Sequence, residues 1–158
     1  MHAPGLKIFS VQDDTRGKFN VVSFISPSVV ANRGIPSAAI VGTLPSNVLK
    51  IDPETLKPNP YFVRFLHWVI AIHGPLAPSL MSAAHQLGNG TLLVTDGRVA
   101  TTGQHKPEDI LGRFRLDQGR IVADSYRPHL DYLVVTQNGL FVLEPWLHAR
   151  LLEEISRL

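Results

Sequence analysis

Three turn dipeptides, Asp96-Gly97, Gln118-Gly119 and Asn138-Gly139, punctuate the second half of the chain at nearly even intervals. A glycine next to Asp, Asn or Gln accommodates the positive φ angles of a tight two-residue turn, so each dipeptide marks where one strand folds back on the next. The first separates residues 91–95 from 98–101, and the last separates residues 132–137 from 140–143. At the middle turn the register follows from the loop length. Asp117 opposes Arg120 and Arg113 opposes Asp124, while Leu116 opposes Ile121 and Phe114 opposes Ala123. One face of the ribbon is then charged in matched pairs and the other is apolar, as in a half-buried antiparallel hairpin.

Helix signals surround this meander. Glu144 and Pro145 read as a helix start, because proline at the first helical position gives up no needed hydrogen bond. Leu147, Leu151, Ile155 and Leu158 then share one face, with Arg150, Glu153, Glu154 and Arg157 on the outward side. Asn59-Pro60 caps a second helix that runs to Gly74-Pro75. It is apolar on nearly all sides, with Arg64 and His67 as its polar stripe. A shorter helix runs from Pro78 or Ser79 to Leu87 and ends at Gly88. In the first half, residues 18–25 and 38–44 read as strands and residues 6–11 as a third, while Pro27, Pro36, Pro45, Pro53, Pro58 and Pro60 bar any long helix. The expectation is one α+β domain over residues 1–158: an antiparallel sheet built from hairpins, a central apolar helix and a C-terminal amphipathic helix.

Composition narrows the function. A chain of 158 residues can bury a core without a metal or a disulfide, and the absence of cysteine removes thiol nucleophiles and thiolate metal sites. Fifteen basic residues against 13 acidic ones are scattered rather than gathered, so nucleic acid is not an expected partner. The most apolar stretch, residues 61–84, is interrupted by Arg64, His67, His73, Gly74, Pro75 and Pro78, which argues against a membrane span. No secretory pattern opens the chain, so a cytoplasmic location is expected.

Candidate chemistry is sparse. His67 and His73 stand six apart, on different faces of one helix, and zinc-binding helices place their histidines four apart, so no metal site and no cofactor is expected. His85 and His129 could join them only through the fold. Nucleophile elbows, phosphate loops and dinucleotide fingerprints are missing. The densest reactive group is Tyr126-Arg127-Pro128-His129-Leu130-Asp131-Tyr132. There His129 could act as a base oriented by Asp131, with Tyr126 and Arg127 binding an anionic substrate, as in a small hydrolase or lyase. The first expectation is a different one: a non-enzymatic binding or protein-interaction domain. Its partner is a second copy of the chain or another protein, and its contact involves Phe62, Phe65 and Trp68 on the apolar helix.

Overall fold

Val, Ile and Phe in the first half form strands because β-branched and aromatic side chains pack well on a pleated surface. In the computed structural model, which describes residues 5–99 and 105–158, four helices and several antiparallel sheets are present among the described residues, so the fold is α+β. The chain divides into two compact units: Met1–Phe65 with Val134–Leu140 and Leu152–Leu158, and Leu66–Leu133 with Phe141–Leu151.

In the first unit, β1 (Lys7–Asp13), β2 (Gly17–Ser23), β3 (Ile40–Pro45) and β4 (Lys57–Pro58) lie side by side in chain order, all antiparallel. Four consecutive residues of the inner strand β2, Asn20 to Ser23, are buried, so alternation fails there because both faces are covered. The two polar members are satisfied. The Asn20 Nδ2 donates to the Val48 carbonyl at 3.1 Å, and the Ser23 hydroxyl donates to the Ala39 carbonyl at 2.7 Å. A short helix, α1 (Pro27–Arg33), follows Ser26 and starts on its proline. The prolines of this half bar long helices, not a helix of seven residues. Asn59 opens α2 (Pro60–His73): its Oδ1 accepts from the Tyr61 amide at 3.2 Å, while its Nδ2 donates to the Ser37 and Ile40 carbonyls at 2.8 Å each. The cap therefore ties the helix start to β3 as well as satisfying an amide. β9 (Val135–Thr136) and β10 (Gly139–Leu140) make a two-stranded hairpin here. Thr136 opposes Gly139, so the turn is Gln137-Asn138, one residue earlier than the dipeptide suggests.

In the second unit, α3 (Pro78–Leu87) ends at Gly88 as its sequence predicts. β5 (Gly90–Thr95) buries Leu92 and Val94 and exposes Thr91 and Leu93, and β6 (Ile110–Asp117) buries Leu111, Phe114 and Leu116 between exposed arginines. β5 pairs antiparallel with β6, Leu92 facing Phe114. The expected hairpin with residues 98–101 is therefore corrected. Arg98 and Val99 lie in no strand, and Ala100 and Thr101 fall outside the described residues. The middle turn holds at Gln118-Gly119, with Asp117 facing Arg120 and Leu116 facing Ile121 on β7 (Arg120–Ile121). Beyond that pair the ribbon stops. Asp124 adopts a positive φ of 58°, and β8 (Arg127–Pro128) takes the vacated edge, so Arg113 faces Arg127 and not Asp124.

The last helix, α4 (Pro145–Ser156), begins where Glu144 Oε1 accepts from the Leu147 amide at 2.8 Å. Leu147, Leu151 and Ile155 are buried as their spacing predicts. Arg157 pairs with Glu154, and Glu154 is largely buried, not turned outward.

Candidate functional site

The end of β5 and the loop behind it bring four polar side chains together in the second unit. Asp96 accepts from the Arg98 amide at 3.0 Å and the Val142 amide at 2.9 Å on one oxygen, and from the Tyr132 hydroxyl at 2.7 Å on the other. Arg98 reaches Asp109 at 2.9 Å through Nε and gives Nη2 to the Glu108 and Leu133 carbonyls at 2.8 and 2.6 Å. Asp96 and Asp109 are 0% and 2% exposed and the Arg98 side chain 1%, so the network is sealed from water. Such burial is tolerable because the geometry supplies each charge with partners. The guanidinium also lies 5.5 Å from the Tyr132 ring centre, within cation–π range.

A second polar chain lies beside it in the same unit. His67 Nδ1 is 2.8 Å from the Tyr126 hydroxyl, which donates to the Leu111 carbonyl at 3.2 Å. With the single hydroxyl proton given to Leu111, the His67 Nδ1 carries the proton of their contact. The edge of the Tyr132 ring meets His67 at 6.0 Å, and Phe114 packs on Tyr126 at 5.1 Å. His67 thus leaves the polar stripe that its spacing from Arg64 suggests and turns to Tyr126.

Electrostatics here follow from burial. It lowers the His67 pKa from 6.5 to about 4, so the imidazole is neutral at physiological pH. Burial raises the Asp96 carboxyl, against the Tyr132 hydrogen bond and the nearby Arg98 charge. Both tyrosine hydroxyls are pushed up, Tyr126 by burial and Tyr132 by burial together with the Asp96 charge, and they stay protonated. These hydrogen bonds hold loop, strand and helix in register.

The sequence-derived cluster divides between these environments. Tyr126 is buried in the network just described. Arg127 is exposed, and its Nη1 donates to the Tyr126 carbonyl at 2.9 Å. His129 Nδ1 accepts from the backbone amide of Asp131 at 3.3 Å, so the ring is oriented by main chain and not by the Asp131 carboxylate. Residues 130 and 131 form a turn, with Leu130 98% exposed at its tip. Among the described residues no hydrogen bond joins the His129 ring to the Asp131 carboxylate or to the Arg127 guanidinium. Among the described residues no three His, Asp or Glu side chains gather as metal ligands would.

On α2, Phe62, Leu66, Val69 and Ile70 are fully buried and Phe65 partly so. The opposite face carries Trp68 and Ile72, 46% and 47% exposed, and the turn after the helix adds Leu76 at 63%. Phe62 therefore belongs to the core, while Trp68 is accessible. Residues 68, 72 and 76 recur every four, so Trp68 and Ile72 stand one turn apart in a row that Leu76 continues. Asp96, Arg98 and Asp109 are missed by sequence reasoning, because an Asp-Gly pair that opens a hairpin and one that feeds a buried ion pair use the same letters.

Comparison with protein-family models, with curated proteins and with solved structures finds no match to this chain.

Proposed function

We propose that this chain is a non-enzymatic interaction domain that pairs with a second copy of itself through the outer face of α2 in the second unit. The observation that carries this reading is the row of Trp68 and Ile72 on α2 and Leu76 just after it, three large apolar side chains 46%, 47% and 63% exposed. Met81 on α3 and Leu87 at its end are likewise exposed, at 51% and 57%. Scattered single apolar residues on a surface need no explanation, whereas a run of them marks a contact. Tryptophan is among the residue types enriched at interface anchors. A twofold pairing is the commonest assembly for identical chains. Covering Trp68 and Ile72 contributes about 2 kcal/mol each by area, before the cost of association is subtracted.

Sedimentation velocity on the full chain tests the reading. The wild type is expected to move from monomer to dimer over the micromolar range, and Trp68→Lys combined with Ile72→Lys to remain monomeric with unchanged folding. A wild type that stays monomeric throughout, or a dimer indifferent to both lysines, contradicts it.

A further inference from the structure

A separate hollow of about 500 Å³ lies in the second unit between α3 and the turn that joins β6 to β7. Pro75, Met81, Ala84 and Ile121 supply its apolar lining, and His85 and Arg120 supply its polar groups. The volume falls within the range of about 300 to 1,000 Å³ usual for small-molecule sites, and apolar walls with a few polar groups are their usual make-up. We propose that this hollow binds a carboxylate carried on a short apolar stem.

The walls are fixed before any ligand arrives. The Gly119 amide donates to the Gly88 carbonyl at 2.6 Å, and the Gln118 amide donates to Asn89 Oδ1 at 2.9 Å, so the turn is fastened to the end of α3. Gly119 holds a φ of +80°, and a side chain there would meet the His85 Cα at 3.5 Å, so the turn lies directly on the helix. Beneath, Ala84 belongs to a buried cluster with Leu92 and Leu116, against which Leu80 and Ile121 pack. That floor gives an alkyl or aryl stem an apolar surface to cover.

The charge at the rim selects the head group. Arg120 faces Asp117 across the turn, yet among the described residues no ion pair joins them, which leaves the guanidinium fork available. Arginine presents parallel N–H donors that match a carboxylate in a bidentate pair, and His85 lies on the same rim. No acidic side chain lines the hollow among the described residues, and Asp117 stands opposite Arg120 across the turn without lining it. A free organic acid and the C-terminus of another chain offer the same chemistry.

Amide NMR titration of the full chain with octanoate, octanol and a leucine-ending peptide, as free acid and as amide, distinguishes the outcomes. Octanoate is expected to shift the amides of His85, Gly119, Arg120 and Ile121 saturably, and octanol to bind at least about tenfold more weakly, as loss of a charge-assisted hydrogen bond implies. Arg120→Gln should weaken octanoate by a similar factor while the rest of the spectrum is unchanged, and Met81→Trp, which fills the hollow from an exposed position, should abolish it. A peptide acid that binds tighter than octanoate while its amide does not assigns the site to a chain terminus. The reverse order assigns it to a free acid. No saturable shift at the turn, equal binding of octanol, or Arg120→Gln binding like the wild type overturns the proposal.

Discussion

Asp96, Arg98, Asp109 and Tyr132 hold their charges and hydroxyl out of reach of water, while Trp68, Ile72 and Leu76 in the same unit stand 46%, 47% and 63% exposed. The two regions invert the usual assignment of polar outside and apolar inside, for different physical reasons. A buried ion pair is retained only with complete hydrogen bonding, so its presence marks a place where geometry is held fixed. An exposed apolar row has no such internal explanation and stays exposed at a cost in solubility unless something covers it. On the proposed reading the network of Asp96, Arg98, Asp109 and Tyr132 serves the architecture of the unit, and the exposed row serves the pairing of two copies.

The comparison predicts unequal responses to substitution. The largest is for Arg98→Ala, which takes the hydrogen-bonded guanidinium from buried Asp109 and its charge from beside buried Asp96, and should cost about 3 to 5 kcal/mol by chemical denaturation. A loss below about 1 kcal/mol, the scale of an exposed pair, would place this network on the same footing as surface charges.

Next comes pH. The His67 imidazole has a folded pKa of about 4 against 6.5 for the free side chain, so the unfolded chain takes up its proton first as pH falls. The stability contributed by the neutral ring is complete above pH 6.5 and is lost as pH falls from 6.5 towards 4. At about 1.4 kcal/mol for each tenfold in proton affinity, the loss is about 3 kcal/mol. His67→Gln should flatten that slope in urea midpoints measured across the window, and an unchanged slope would assign it to other groups.

Tyr132→Phe is smaller. It removes a single donor from Asp96, which keeps its two backbone amides, and should cost about 1 to 3 kcal/mol. The same substitution measured in the Arg98→Ala background should cost a different amount, because residues in one network do not add. Additive values would mean that the four side chains act separately.

How much of this was legible in sequence depends on whether the signal was local. Helix ends were readable at Asn59, Gly88 and Pro145, since capping involves neighbours within a turn. The Gln118-Gly119 turn gave the first two facing pairs for the same reason. Arg113 and Asp124 did not pair, because a cross-strand charge pair is worth about 0.2 to 1 kcal/mol. Burial of Tyr126 against Phe114, with its hydroxyl on Leu111, competes with that and brings Arg127 and Pro128 to the edge of β6. Gly112 records the closeness of this approach, since a side chain there would come within 2.6 Å of the Arg127 carbonyl. The partner of β5 was hidden because Asp96 is consumed by contacts to residues 132 and 142, far along the chain. The group at 126–132 looked reactive by density alone, and density cannot distinguish a buried Tyr126 from an exposed Arg127.

The smallest expected effect on stability, and the most direct test of the central claim, comes from making Trp68 the sole tryptophan. With Trp146→Phe in place, Trp68 emission reports whether the α2 face is covered. Dilution through the micromolar range should move that emission from shorter to longer wavelength while the circular dichroism of the fold stays constant. Emission fixed at the wavelength of a water-exposed indole at every concentration would contradict the proposed pairing.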